Sequence, residues 1–218
     1  MRTLRTLARS AATTLLAPTL ALGSFSANSA DEQLRFRVYL DDKPIGQHSF
    51  RIDTFGDSRL VASRASFDVD FLFINAYRYR HESRETWRDG CLDEIRATTD
   101  DNGKQLRVEG EATGKRFRIE GPDGRSQAGG CLMTFAYWNP DFLSQSRLLN
   151  PQTGELVDVS VRRLGPDRVP VEGRKVAATR YELKAEDLSI DLWYNDDLGW
   201  VGLESDTGKG ARLIYRRI

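Results

Sequence analysis

Apolar and polar residues alternate in short runs along most of the chain, and this period of two restricts the fold to one built mainly from strands. About ten such runs are separated by turn sequences, among them residues 101–103 and 208–210. One apolar face opposite one polar face is typical of an antiparallel sheet that buries a single side. The pattern therefore predicts a mainly β domain, either an open barrel or a β-sandwich.

One segment, from Cys131 to Gly154, does not alternate. It is rich in apolar and aromatic residues and contains the best helix start, because Asn139 can cap, Pro140 suits the first helical position and Asp141 places negative charge in the first turn. We predict one short helix near residues 139–147 that packs on the sheet. The apolar side chains available for this packing are Phe142, Leu143, Leu148 and Leu149.

The first thirty residues have the three parts of a secretion signal. A basic start with Arg2, Arg5 and Arg9 precedes an apolar stretch, residues 11–22, that is too short to span a bilayer. Small residues follow, which predicts cleavage near Ala30 and export to the periplasm. The mature chain, residues 31–218, is then a single β domain. No cysteine lies near the cleavage site, so we expect a soluble protein without a lipid or transmembrane anchor.

Charge and cysteine content narrow the partners. Three of the 32 basic residues lie in the signal, which leaves 29 basic and 32 acidic residues in the mature chain. Because nucleic-acid binding needs a basic face, we expect no nucleic-acid partner. Cys91 and Cys131 are an even pair in an exported chain, which predicts a disulfide worth about 4 kcal/mol. His48 and His81 lack metal-ligand spacing, so we expect neither a metal nor another cofactor.

The strand from Tyr77 to Trp87 has an aromatic face that also carries an imidazole, a hydroxyl and a carboxylate. Such a face can line an apolar cavity with a few polar groups, or it can be an ordinary core edge whose polar tips reach water. With the aromatic residues of the neighbouring segments, the candidate ligand-binding residues are Phe67, Phe71, Phe73, Tyr77, Tyr79, His81, Glu85, Trp87, Phe135, Tyr137 and Trp138.

No catalytic signature is present in the sequence. The best acid–base set is His81 with Glu85, but four residues of strand separate their backbones by about 13 Å, too far for direct contact. We therefore expect no catalytic residues, and an enzyme is the least favoured class.

The back half, Arg147 to Ile218, carries two distinctive strings, residues 190–194 (Ile-Asp-Leu-Trp-Tyr) and 200–204 (Trp-Val-Gly-Leu-Glu). It resembles the ending of exported Gram-negative proteins of the lipoprotein-carrier (LolA-like) superfamily, and of periplasmic domains of unknown function near them. The resemblance implies that the roughly ten strands form a strongly curved antiparallel sheet, an open half-barrel, whose concave apolar face is covered by helix and loop. Carriers of this type hold acyl chains there.

Two functions follow from these expectations. The first is a periplasmic protein that binds or carries an apolar, lipid-like ligand in the concave face of its sheet. The alternative is a structural or interaction protein of the cell envelope with a filled core, because small barrels are often filled by side chains.

Overall fold

The computed structural model describes residues 30–71, 74–208 and 210–218. Within these ranges the chain forms fifteen strands and one short 3-10 helix, Pro140–Ser144. No helix of the described ranges has the length and hydropathy needed to cross a membrane. The strands are β1 (Ala30–Leu40), β2 (Lys43–Phe55), β3 (Ser58–Phe71), β4 (Ile74–Arg88), β5 (Cys91–Asp101), β6 (Lys104–Thr113), β7 (Arg116–Gly121), β8 (Gly124–Gly129), β9 (Arg147–Leu149), β10 (Leu156–Asp158), β11 (Ser160–Val171), β12 (Arg174–Ala185), β13 (Leu188–Asn195), β14 (Gly199–Asp206) and β15 (Arg212–Arg217).

Thirteen strands form one antiparallel sheet, in the order β11-β12-β13-β14-β15-β1-β2-β3-β4-β5-β6-β7-β8. Neighbours in the sheet are consecutive in the chain except β15 and β1, whose pairing joins the two ends of the domain. The edges are β8 and β11, and the sheet is not closed. Residues 130–159, which we call the crossing segment, lead from one edge to the other and contain the helix and the small β9–β10 sheet.

Contacts with the crossing segment show that the sheet is strongly curved. β13 and β4 are six strands apart in the sheet, about 29 Å if it were flat, yet they touch adjacent residues of the segment. The Tyr194 hydroxyl of β13 donates to the carbonyl oxygen of Tyr137 over 2.7 Å. The ring of Trp87 in β4 meets Trp138 edge-on, with 5.2 Å between ring centres. The sheet therefore wraps its buried face around this segment.

The predicted mainly β fold, with one large open antiparallel sheet and almost no helix, is confirmed. The number of strands and the half-barrel description differ, and a β-sandwich does not fit because thirteen strands belong to one sheet. The additional strands lack clear alternation: β8 has no large apolar residue, and β11 runs through Gly165 and Pro166, a dipeptide typical of turns. Pro166 is tolerated because β11 is an edge strand, and the register shifts between Arg163 and Gly165.

The predicted helix is present but shorter than residues 139–147. Asn139 caps it by accepting a hydrogen bond from the Asp141 N–H, and Pro140 occupies the start, as expected. The helix ends because Gln145 is already extended, with φ −81° and ψ 147°, and leads into β9. Phe142, the one buried residue of the helix, points into the core.

The predicted disulfide is confirmed. Cys91 and Cys131 are joined, with 5.0 Å between their Cα atoms and a sequence separation of 40. The bond fastens the start of the crossing segment to the start of β5. A backbone hydrogen bond of 2.9 Å from the Leu92 N–H to the Leu132 carbonyl continues this attachment.

Part of the concave side is tightly filled. Large side chains that are less than 2% exposed come from both flanks of the sheet and from the crossing segment, and we call them the solid core. They are Leu34, Phe36, Trp87, Ile95, Phe117, Met133, Phe142, Leu148, Leu149, Leu183, Leu192 and Trp200. The expected burial of Phe142, Leu148 and Leu149 is thereby confirmed, whereas Leu143 is only half-buried.

Candidate ligand-binding cavity

A cavity of about 960 Å³ lies between the concave face and the crossing segment. Its walls come mainly from β2, β3 and β4 on one side and from β13, β14 and β15 on the other, with residues 134–138 and 150–152 as a roof. None of the side chains of the solid core is among its described lining residues. The concave side is thus divided into a filled part and an open part.

Most of the residues singled out from the sequence meet at this cavity. The candidates that line it are Phe67, Tyr77, Tyr79, His81, Glu85, Phe135, Tyr137 and Trp138. Trp87 belongs instead to the solid core, underneath Trp138. Phe73 lies outside the described residues, and for Phe71 the structure describes only the backbone, at the end of β3.

The aromatic part of the wall follows from strand pairing. Phe67 of β3 lies directly opposite Tyr79 of β4, and their rings stack with 5.3 Å between centres. The ring of Tyr79 in turn stacks near that of His81, two residues along the same face. Because every second side chain of β4 lies on the same face, these rings form a continuous surface along the wall.

His48 is a lining residue that the sequence analysis did not include. It sits on β2 opposite Ala65 of β3, which is itself opposite His81 of β4, so both imidazoles lie in one row across the sheet. His48 Nε2 is 2.7 Å from the Ser63 hydroxyl, and its Nδ1 is 3.4 Å from the Tyr215 hydroxyl. Only the register between strands reveals this neighbourhood, because the two histidines are far apart in sequence.

Both imidazoles are held neutral. Burial lowers the pKa of His48 to about 3, with a further contribution from His81. Burial also lowers the pKa of His81 to about 4, against the opposing effect of Glu82. The row ends on Thr99 of β5, whose hydroxyl lies 2.9 Å from His81 Nδ1. At neutral pH the row therefore offers uncharged hydrogen-bonding groups.

Glu85 is the carboxyl group at the inner end of this wall. It is 7% exposed and accepts hydrogen bonds from Trp87 Nε1 at 2.9 Å and from the hydroxyls of Thr134 and Ser83 at 3.5 Å. Burial raises the pKa of Glu85 to about 7, although these three hydrogen bonds favour the charged form. Glu85 thus links β4 to the crossing segment at the boundary between the cavity and the solid core.

Three tyrosines, Tyr79, Tyr137 and Tyr215, line the cavity. Burial raises the pKa of Tyr215 well above its usual value, and the neighbouring Tyr79 and Tyr137 add to the effect. The pKa values of Tyr79 and Tyr137 are raised by burial as well. All three hydroxyls are therefore neutral donors and acceptors at physiological pH.

The pair His48–Ser63 has the distance of a base and a nucleophile, but its surroundings differ from those of a hydrolytic site. Both residues lie in the middle of strands whose backbone is paired on each side, from β1 through β4. An acyl-transfer site also needs donors for a developing oxyanion, and these backbone N–H groups are already used in the ladder. The arrangement is thus suited to holding a polar group by hydrogen bonds.

The roof of the cavity is fixed at several points. Tyr137 packs against Trp200, with 5.2 Å between ring centres, and its carbonyl accepts the Tyr194 hydroxyl. Trp138 is half-buried between the ring of Trp87 and the guanidinium of Arg59, which lies 5.6 Å from the ring centre. The roof is therefore attached to both flanks of the sheet.

Residues 36–218 match a family model described as Domain of unknown function (DUF6134). No curated protein sequence matches the chain. Among solved structures, the chain is similar to one from Brucella abortus described as a "Beta-barrel-like Protein of Domain of Unknown Function DUF1849", with a TM-score of 0.60 and 10% identity over 86% of this chain and 95% of that one. This similarity concerns the fold alone. Because the family model spans nearly the whole described domain, the chain belongs to the DUF6134 family.

Proposed function

We propose that the protein binds an apolar, acyl-chain-like molecule in the cavity and carries it in the periplasm. The observation that supports this most is the cavity itself: about 960 Å³, at the upper end of the range of roughly 300–1,000 Å³ typical of small-molecule sites. Its wall is mainly apolar and aromatic, and the row of His48 and His81 is one of the places where polar groups face it. That combination suits a long apolar ligand with one polar end.

The alternative, a structural protein with a filled core, fits only the solid core. An apolar volume left empty forfeits the dispersion contacts that its lining would otherwise make. A chain selected only for stability has no reason to keep polar side chains such as His81, Ser83 and Glu85 on the buried face of β4. Ligand binding gives both the volume and these residues a role.

Export to the periplasm rests on the basic, apolar and small-residue order of the first thirty residues, which lie outside the described residues except for Ala30. The disulfide between Cys91 and Cys131 is consistent with an oxidising compartment. The resemblance of residues 147–218 to lipoprotein carriers supports an acyl ligand in particular. These three observations together motivate the proposed site of action.

The test has two arms on the protein purified from the periplasm. Mass spectrometry of a solvent extract should find a lipid-like molecule that co-purifies. Titration with Nile red, a neutral apolar dye, should give saturable binding of one dye per chain after that molecule is removed. Clean extracts together with no saturable dye binding at micromolar protein would contradict the proposal and favour the structural role.

A further inference from the structure

The cavity differs from the rest of the molecule in its charge. The chain contains 32 lysine and arginine residues, yet none of them is among the described residues that line the cavity. β4 shows how this arises, because Arg80 and Arg84 alternate with His81 and Glu85 and lie on the opposite face. Arg80, for example, is held outside by a 2.8 Å ion pair with Asp68.

Apart from the carboxyl groups of Glu85 and Asp101, the polar side chains that line the cavity are uncharged. His48 is engaged at both ring nitrogens, by Ser63 and Tyr215. His81 uses Nδ1 for Thr99, and the described residues provide no hydrogen-bond partner for its Nε2. The hydroxyls of Tyr79 and Tyr137 add further neutral donors, for which the described residues provide no hydrogen-bond partner.

The two carboxylates at the cavity are already supplied with donors. Glu85 accepts from Trp87, Thr134 and Ser83, and Asp101 accepts from the Tyr77 hydroxyl at 2.7 Å. Neither carboxylate therefore needs a cation from the ligand to satisfy it. An anionic ligand group would meet these carboxylates without a compensating cation, and burying an unpaired charge is far more costly than burying a hydrogen-bonded neutral group.

From this geometry we infer that the cavity selects apolar molecules whose polar group is uncharged, such as a hydroxyl, ester or amide, and discriminates against the same chain ending in a carboxylate or phosphate. The inference rests on the proposed function and specifies its ligand class. The polar group lies at the row formed by His48, Ala65 and His81, and the lining tyrosines Tyr79, Tyr137 and Tyr215 offer it further neutral hydroxyls. The apolar chain occupies the remaining ring-lined volume.

The experiment compares ligands that share one chain and differ only at its end. Dodecanol, dodecanamide, dodecanoate, dodecyl phosphate and dodecylamine compete with Nile red for the delipidated protein at neutral pH. We expect the alcohol and the amide to displace the dye at least about tenfold more effectively than either anion. The alcohol and the amide should also displace the dye more effectively than the amine does.

A matched pair of variants adds a cation on either side of one strand. Ala65→Lys places an ammonium group in the cavity, between the two imidazoles, and should shift the preference towards dodecanoate. Ala62→Lys adds the same charge on the exposed face of β3 and should leave the preference unchanged. The selectivity of the unmodified protein decides the inference even if Ala65→Lys does not fold.

The outcomes separate the inference from the proposed function. Equal or tighter binding of dodecanoate, dodecyl phosphate or dodecylamine would overturn the charge selectivity while leaving a ligand-binding protein. Failure of Nile red and of every dodecyl compound to bind would overturn both.

Discussion

The solid core and the cavity occupy the same concave face and differ in what their side chains contact. Phe142 and Leu148 are fully buried against the sheet, whereas Tyr79 and Phe135 border open volume. Most of the buried polar side chains of the described residues line the cavity, among them His81, Ser83 and Glu85. One strand, β4, passes from one region to the other between Glu85 and Trp87. Apolar content alone therefore does not produce a filled core. Which part of the concave face is filled depends on where the crossing segment packs against it.

The largest difference in stability cost is expected between substitutions of two tryptophans that contact each other. Trp87→Ala should cost about 3–5 kcal/mol, because it leaves a void in the solid core and removes the indole donor to Glu85. Trp138→Ala should cost less than half as much, since its ring is only half-buried at the roof of the cavity, but it should weaken Nile red binding. Chemical denaturation and dye titration on the same samples check both. Equal losses of stability would remove the distinction between the two regions.

The disulfide tests whether the filled region depends on the attachment of the crossing segment. Replacing Cys91 and Cys131 together by serine should lower the free energy of unfolding by about 4 kcal/mol, as the chain-entropy model gives for a loop of this length. Reduction of the unmodified protein should reproduce the loss. If reduced and oxidised protein unfold at the same denaturant concentration, the solid core holds the segment without the bond.

Sequence patterns predicted part of the cavity lining and missed His48. Alternation in β4 placed Tyr79, His81 and Glu85 on one face, and the structure has them there. His48 was missed because its proximity to His81 depends on the register of β2, β3 and β4, which no local pattern encodes. Trp87 was grouped with the site since it shares that face; whether it borders open volume depends on where Trp138 lies over it.

The fold, like the cavity, was predicted only where local or compositional signals determine it. The N-cap at Asn139 and the disulfide depend on local or compositional signals, and both were predicted. β8 and the continuation of β11 through Pro166 were not, because they are edge strands that need neither alternation nor a full set of backbone donors. Long-range pairing, rather than propensity, makes these segments strands.

Glu85, at the boundary of the two regions, should make stability depend on pH. Its folded pKa of about 7 exceeds its usual 4.5, so its contribution is complete below about pH 4.5 and is lost as the pH rises towards 7. The Gln side chain of the Glu85→Gln variant cannot ionise. As the pH rises across this window, the free energy of unfolding of the variant should therefore increase relative to that of the unmodified protein, by on the order of 3 kcal/mol. His48 and His81 act in the opposite direction, but they do so in both proteins and cancel in the comparison.

Denaturation of both proteins at several pH values measures this gain. The control is Glu111→Gln, on β6, where an exposed ion pair with Arg118 contributes little. A difference between Glu85→Gln and the unmodified protein that does not vary with pH would mean that the carboxyl is solvated.

The smallest effect is expected at the helix cap. Asn139→Ala removes the hydrogen bond from the Asp141 N–H but also removes a buried amide nitrogen, Nδ2, that has no partner in the described structure. The two effects oppose each other, so the cost should stay near 0.5–1 kcal/mol, the low end for a cap. Thermal unfolding checks the value. A loss above about 2 kcal/mol would show that the helix, rather than Phe142 packing, positions the roof.

The division of the concave face is tested most directly by filling the cavity. Ala65→Leu adds apolar volume between His48 and His81, and Ala62→Leu adds it on the exposed face of the same strand. Open volume predicts that Ala65→Leu keeps or gains stability and binds Nile red at least about tenfold more weakly, while Ala62→Leu changes neither. If Ala65→Leu instead costs about 1–3 kcal/mol, as overpacking does in a filled core, and dye binding is unchanged, the cavity is not the binding site and the account is contradicted.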